Sequence, residues 1–579
     1  MKKNNLLKVI AITCLVFLVL TWIIPTGSYS GSTYTKDSIS ALGVGDLFIY
    51  SFRSVYLSIA IIGMIVILLI GGLYGVLNKT GAYQSLVEKI VKKYNGKEKY
   101  FIVISILLFS ILTSLTSLIY PLFILVPLFI TVICLLGYNK FTAFLSTFGA
   151  ILVGRIGTTY GYNLEGYNYS KQFFGLDINS NILFKVILFV LTVGLLIFFT
   201  LKNSKLDKKK TKSKDEKIIL YEEKSSNKSS KALVILLSIM MAFVIVAMFN
   251  WEGAFGIDFF TNIHSKITGF SIVGRNIFAE LLGSINPIGY WSNYELSLVL
   301  ILNIFIIGKV YGLKLKEILD GFIDGVKAIV GVAIIGFLAT ILSSVVFTQL
   351  YNISSHTIFP TIANKIFTVF GTNAFSLSVV SGFGTLFFGD LPYVFNDLYT
   401  PVSAMYSNLA DAAYIIQSVF GFISLILPTS IVLLMGLRYS DISFGEWFKK
   451  AWKLLLGLLI CLIISILIMK VVNPAVSLFI IIALLIFIVA FIQIISMWKI
   501  FKKAGKPGWA SIIPVYNLVV LVEVSKAPIW YLVLILLISP IGFLMTYIEL
   551  AKSFGKGSGF GVFMWFFPYI GFPILAFEK

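Results

Sequence analysis

Thr113-Ser114-Leu115-Thr116-Ser117-Leu118-Ile119-Tyr120-Pro121 interrupts an otherwise apolar run over residues 101–137. Two readings fit that run: two short membrane spans, or a hairpin that enters and turns back. A row of hydroxyls followed by proline makes a poor lipid-facing helix, because freed backbone groups find no water in hydrocarbon. The hydroxyls therefore favour a hairpin buried against protein. A second interruption, Gly389-Asp390-Leu391-Pro392, divides the stretch 374–410, which returns through Asn396, Asp397 and Pro401.

The two interruptions correspond. Pro121 and Pro392 stand 271 positions apart, and so do Thr158 and Thr429. Thr158 belongs to Gly154-Arg155-Ile156-Gly157-Thr158-Thr159, which breaks a span over 141–160. Thr429 belongs to Pro428-Thr429-Ser430, which breaks a span over 412–436. Each half thus reads as a span, an amphipathic linker, a hairpin with a central break, and a broken span. Paired interrupted segments in two halves point to a transporter site near the bilayer midplane.

Composition sets the class. The chain has 579 residues, 58% hydrophobic and 12% charged, and a mean hydropathy of +0.96, whereas a soluble domain carries about 25% charged residues. Many runs reach the ~18 apolar residues needed to cross a roughly 30 Å hydrocarbon core. The fold class is all-α, a polytopic membrane protein. The net charge of +20 sits in short loops, as the positive-inside rule expects, and does not signal nucleic-acid binding. Cys14, Cys134 and Cys461 lie in apolar runs without metal spacing, and His264 and His356 stand far apart. No metal or cofactor is expected.

Loop charge gives the orientation. Lys2, Lys3 and Lys8 without an acid place the N-terminus in the cytoplasm, and the first span is retained rather than cleaved. Residues 25–56 read as a neutral external loop, and residues 78–100 as internal, with six lysines and two glutamates. Residues 202–231 hold eleven lysines against five acids and read as a flexible cytoplasmic linker. An external loop is expected over 251–293. By these charges the first half's repeat begins outside and the second begins inside, an inverted repeat. The expected domains are an N-terminal transporter half (1–201), the linker (202–231), a C-terminal half (232–473) and an appended multi-span membrane domain (474–579). Spans are expected in the last at 475–497, 529–548 and 558–577. The localisation expected is a bacterial inner membrane.

Broken helices present free N–H groups and a positive dipole end, which suit a carboxylate; hydroxyls add neutral hydrogen bonds without burying a charge. The candidate substrate-binding residues are Thr116, Ser117, Arg155, Thr158, Thr159, Asp390, Asn396, Thr429 and Ser430. Each has a bland reading. Arg155 is either a counter-charge for a carboxylate or a side chain snorkelling to the interface. Asp390 either couples a cation or caps a helix. The threonines and serines either line a site or satisfy a broken backbone. Tyr160, Tyr162, Tyr167 and Tyr169 read as an interfacial belt.

Further motifs carry a resemblance. Leu20-Thr21-Trp22-Ile23-Ile24-Pro25-Thr26-Gly27-Ser28-Tyr29, Gly71-Gly72-Leu73-Tyr74-Gly75-Val76-Leu77-Asn78-Lys79-Thr80-Gly81-Ala82 and Leu427-Pro428-Thr429-Ser430 resemble the YfcC family, relatives of the DcuC-type anaerobic C4-dicarboxylate carriers of the ion transporter superfamily. The resemblance covers residues 8–472. It implies a secondary carrier of organic anions or amino acids, with two hairpins meeting at the substrate. The first hairpin departs from the family: Ser117-Leu118-Ile119-Tyr120-Pro121 stands where paired glutamates are expected. The second carries Gly389-Asp390-Leu391 in place of a serine-rich tip, and Gly157-Thr158-Thr159 replaces a Gly-Ser/Thr-x-Asn turn. From about Trp498 the tail resembles a small membrane domain of unknown function.

The expected function is a secondary active transporter of a small dicarboxylate or amino acid, coupled to a proton or Na⁺ or working as an exchanger. The alternative is a transport-inactive scaffold or sensor. No nucleophile–base set supports an enzyme. The expected partners are a small-molecule substrate and the lipid bilayer; a homodimer is allowed.

Overall fold

The structure is a computed structural model that describes residues 6–46, 49, 56–161, 173–204, 218–224, 226, 228–352, 357–471, 492–511, 513 and 516–578. Tyr162, Tyr167, Tyr169, His356 and most of the expected span 475–497 lie outside the described residues. The chain forms two compact units, Met1–Val471 and Val472–Lys579. Among the described residues, eight helices are long and apolar enough to cross a membrane. The protein is an all-α polytopic membrane protein.

In the first unit, α1 (Leu6–Ile23) leads into a short antiparallel hairpin of β1 (Gly27–Ser30) and β2 (Thr33–Lys36). Then come α2 (Tyr56–Thr80), the amphipathic α3 (Ala82–Tyr94), the helix pair α4 (Glu98–Thr116) and α5 (Ile119–Leu135), and α6 (Lys140–Gly154), with a π turn at Leu145–Gly149. The helix α7 (Ile182–Asn203) ends this series, and α8 (Lys231–Met248) follows the linker. Residues 251–282, expected as plain loop, contain three short helices: α9 (Trp251–Phe255), α10 (Phe259–Thr268) and α11 (Ile277–Leu282). Asn250 starts the first by accepting from Gly253 N. The loop after α1 holds the β-hairpin, which likewise was not expected.

A second series follows α12 (Asn293–Val310): the long α13 (Leu315–Asn352), the amphipathic α14 (Ile358–Phe370), the pair α15 (Ala374–Phe388) and α16 (Leu391–Met405), then α17 (Leu409–Ile423), α18 (Ile431–Tyr439) and α19 (Phe444–Val471). At 1.5 Å per residue the 15-residue arms α15 and α16 are about 22 Å long, short of a roughly 30 Å hydrocarbon core.

The two series meet where α2 crosses α13. A Cβ on Gly75 would lie 2.0 Å from Gly321 O, and one on Gly325 would lie 2.0 Å from Gly71 O. Backbones this close admit only glycine, as in small-xxx-small crossings of membrane helices. The motif Gly71-Gly72-Leu73-Tyr74-Gly75 thus has a packing reason. Lys79 closes the crossing with an ion pair to Asp324, 2.8 Å.

Hydrogen bonds tie down two of the loops. At one, Gly27 N bonds Thr357 O (2.9 Å) and the Tyr34 hydroxyl meets Thr361 (2.7 Å), joining the β-hairpin to the start of α14. At the other, the end of the 202–231 linker is strapped to α2 and α3: Asn78 donates to Leu220 O (3.3 Å) and Ser85 to Ser226 O (2.7 Å). Leu220 is buried there, and the Tyr221 ring meets Tyr83 at 5.7 Å.

The second unit has its own core, with Phe501, Leu521, Leu550, Met564 and Phe572 buried together. The runs expected as single spans at 529–548 and 558–577 are each divided, into Trp530–Leu537 and Ser539–Ser553, and Ser558–Phe566 and Pro568–Phe577. Pro540 and Pro568 stand in the first turn after each break, where a missing N–H is harmless, whereas inside one continuous helix it would break the ladder. The segment Tyr516–Val524 is nine residues, about 14 Å, too short to cross.

Candidate functional site

The first turn is built from hydroxyls. The helix α4 stops at Ser117, which adopts a left-handed backbone (φ 52°) and donates its N–H to Thr113 O (2.9 Å). Ser114, one turn earlier, ties this tip to the break after α6. Its hydroxyl donates to Gly157 O (3.2 Å), and its carbonyl accepts from Thr159 N (3.1 Å), Thr159 Oγ1 (3.1 Å) and Tyr160 N (3.2 Å). Gly161 closes the tip, for a Cβ there would lie 2.3 Å from Ser117 Oγ and 2.9 Å from Thr113 O. Thr116 donates to Leu112 O (2.7 Å) and accepts from Leu118 N (3.3 Å). Ser117 is fully buried, and among the described residues its hydroxyl has no hydrogen-bond partner.

The first break spans residues 155–160. The Thr158 hydroxyl donates back to Arg155 O (2.8 Å), and Gln417 of α17 donates to Thr158 O. Gly157 lies against the backbone of Phe189 in α7, and Gly421 of α17 lies against the backbone of Arg155 and Ile156. Arg155 is buried. Its guanidinium carbon stands 5.3 Å from the centre of the Phe420 ring, a cation–π distance.

The second turn shares the backbone of the first but not its surroundings. The helix α15 ends at Gly389 (φ 66°), and Asp390 caps α16 by accepting from Leu391 N (2.9 Å), with Pro392 in the first turn. Asp390 is exposed, and the Arg155 charge acts on it. Asn396 is exposed and donates to Asp397 (3.4 Å). The Phe174 ring, beyond the first break, stands 5.6 Å from Phe395 and 6.0 Å from Tyr399, so the first series reaches over α16.

In the second break, residues 424–430, Thr429 is buried and its hydroxyl has no partner among the described residues. Ser430 caps α18 by accepting from Leu433 N (3.5 Å). The structure therefore gathers Thr116, Ser117, Thr158 and Thr159 around one knot, with Arg155 beside it and in electrostatic reach of Asp390. No recorded hydrogen bond joins Thr429 or Ser430 to that group. The sequence reading missed Gln417 and Gly161, which hold the first break and tip, and Lys185, a lysine inside an apolar run. That last signal was visible in the sequence.

Residues 4–472 match the family model described as C4-dicarboxylate anaerobic carrier (DcuC). The chain belongs to the C4-dicarboxylate anaerobic carrier family. It is accordingly a membrane carrier rather than an enzyme. Residues 509–579 of this carrier match a family of unknown function, DUF5684. No curated protein matches the chain. Two solved structures resemble it: the YdaH transporter of Alcanivorax borkumensis, at 15% identity and a TM-score of 0.34 over 82% of this chain and 99% of that one; and MtrF of Neisseria gonorrhoeae, described with a class of antimetabolite efflux pumps, at 12% identity and 0.30 over 81% and 95%.

Proposed function

We propose that this carrier moves a small organic anion of the dicarboxylate class across a bacterial inner membrane by secondary active transport, driven by a proton or Na⁺ gradient or by exchange. The observation that carries the reading is the buried Arg155 at the first break, whose charge acts on Asp390 at the second turn. A guanidinium enclosed in a membrane protein marks a functional site by default, and it can take a carboxylate with bidentate hydrogen bonds. In this reading the halves 1–201 and 232–473 stand inverted about the site, the N-terminus and the 202–231 linker are cytoplasmic, and residues 474–579 are an appended membrane domain.

Proteoliposome uptake decides the matter. C4-dicarboxylates, monocarboxylates and amino acids are offered under imposed pH or Na⁺ gradients, or against internal substrate. Dicarboxylate flux under at least one condition is expected, and the driving gradient names the coupling ion. Folded protein that moves none of these solutes overturns the proposal. It would favour the second reading, a transport-inactive scaffold or sensor, whose support is the fully packed first turn with no carboxylate at Ser117-Leu118-Ile119.

A further inference from the structure

Residues 251–282 form α9, α10 and α11, yet not one of them is buried. Several are large and apolar. In α10, Phe259, Ile263 and Ile267 recur every four residues and make one exposed stripe. Thr261, Ser265 and Thr268 stand on the opposite face. The turn after α10 carries an odder residue. Ile272 and Arg275 exchange backbone hydrogen bonds (2.9 and 3.1 Å) around Val273 and Gly274, both left-handed (φ 52° and 74°). Two-residue turns of this kind favour asparagine, aspartate or glycine, and a β-branched residue in that region is strained. Val273 nevertheless occupies the tip and is 97% exposed. In water nothing offsets that strain, whereas against hydrocarbon an apolar tip gains what asparagine would lose.

The anchoring of the segment shows what surrounds it. The helices α8 and α12 on either side are long and apolar enough to cross a membrane. The Trp251 indole donates to Val246 O (2.8 Å), and Gly289 N and Trp291 N donate to Ala247 O (2.7 and 3.3 Å). Both ends of the segment are thus tied to the last turn of α8. Tryptophans at the end of a span mark the membrane surface. Along α8 the exposed Ile235, Ile239 and Phe243 form a stripe of their own, which in a spanning helix faces lipid. That stripe ends against the segment, with the Phe243 ring 5.2 Å from the Trp291 ring. The lipid-covered surface of α8 therefore continues into the exposed apolar side chains beyond it. Charge offers no other partner. Lys266 and Arg275 stand against Glu252, Asp258 and Glu280, a balance that attracts neither a strongly acidic nor a strongly basic surface.

We propose that residues 259–273 lie in the lipid interface at this end of α8, with the Phe259–Ile263–Ile267 stripe and the Val273 tip sunk into the acyl boundary. Interfacial helices bury their apolar face by about 5–10 Å in this way. The partner is a lipid surface rather than a second protein.

The test uses the full-length chain carrying Cys14→Ala, Cys134→Ala and Cys461→Ala, with one cysteine introduced as Ile263→Cys, Val273→Cys or Ser265→Cys. Each bears a nitroxide and sits in phosphatidylcholine vesicles. Collisions with oxygen read lipid, and collisions with a water-soluble nickel chelate read water. The labels at 263 and 273 should gain oxygen accessibility and lose nickel accessibility relative to the label at 265, on the polar face. Labels at 263 and 273 that meet nickel as freely as the one at 265 overturn the proposal, because the segment then stands in water. Labels shielded from both probes also overturn it, because protein then covers the segment; dipolar broadening between labels would identify that protein as a second copy of the chain. If Val273→Cys disturbs the turn, the pair at 263 and 265 still decides whether α10 lies on lipid.

Discussion

The two helix turns of the first unit have nearly the same backbone and opposite surroundings. At each, a helix ends on a left-handed residue, Ser117 (φ 52°) or Gly389 (φ 66°), and the next helix carries a proline in its first turn. Ser117 is fully buried, and Gly161 lies against its hydroxyl and N–H. Around Gly389 the neighbouring Asp390 keeps open surface. The comparison separates two roles that a broken helix can have. The first turn is a clamp that fixes the 155–160 break in place, and the second leaves the Asp390 carboxylate exposed within electrostatic reach of Arg155.

The largest expected effect comes from forcing the clamp. Gly161→Val places a Cβ within 2.3 Å of Ser117 Oγ and 2.9 Å of backbone atoms, and overpacking of this kind costs about 3 kcal/mol at its upper range. Thermal unfolding in detergent should show a large drop. Wild-type stability would mean that the tip is not sealed and that the contrast with the second turn is false. Next is Ser114→Ala, which removes the donor to Gly157 O and the partner of Thr159 Oγ1. Leaving buried polar groups unmet costs about 1–3 kcal/mol, so its melting temperature should fall less than that of Gly161→Val. An unchanged value would show that the knot holds through packing alone.

How much of this was legible follows from what each feature is made of. The breaks were readable because Pro121, Pro392 and Pro428, with their adjoining hydroxyls and glycines, are local facts about backbone bonding. The glycine motif at 71–75 was visible as a pattern, but its partners Gly321 and Gly325 are remote in sequence and only the fold brings them together. The difference between a sealed and an open turn was not legible, because it depends on what arrives from α17 and from residue 161. Gln417 shows the same thing: one polar residue in an apolar helix, meaningful only once its amide meets Thr158 O. The divided helices of the second unit escaped for a different reason. An apolar run averages across Pro540 and Pro568, and hydropathy does not register a lost N–H.

A smaller effect of opposite sign is expected at Ser117 itself. A non-glycine residue in the left-handed region is strained by roughly 1–2 kcal/mol, and the Ser117 hydroxyl gains nothing in return among the described residues. Ser117→Gly should therefore raise the melting temperature, by an amount worth about 1 kcal/mol after the glycine's greater freedom in the unfolded chain is counted. A destabilised variant would show that the hydroxyl has a role, and the sealed turn would then have to be treated as part of the substrate site.

The smallest change in stability, and the sharpest on function, is expected at Asp390. Asparagine caps a helix about as well as aspartate, so Asp390→Asn should preserve the bond from Leu391 N and shift stability by no more than a few tenths of a kcal/mol. Asp390→Ala removes the cap and should lose about 1 kcal/mol. Uptake separates the two roles of the residue. If the carboxylate serves only as a cap, the asparagine variant transports like wild type and the alanine variant is less active in proportion to its stability. If the charge facing Arg155 belongs to the transport cycle, both variants lose uptake together although only one loses its cap. The second turn is then functional in the respect in which the first is structural, because its charge is the part that the fold leaves open.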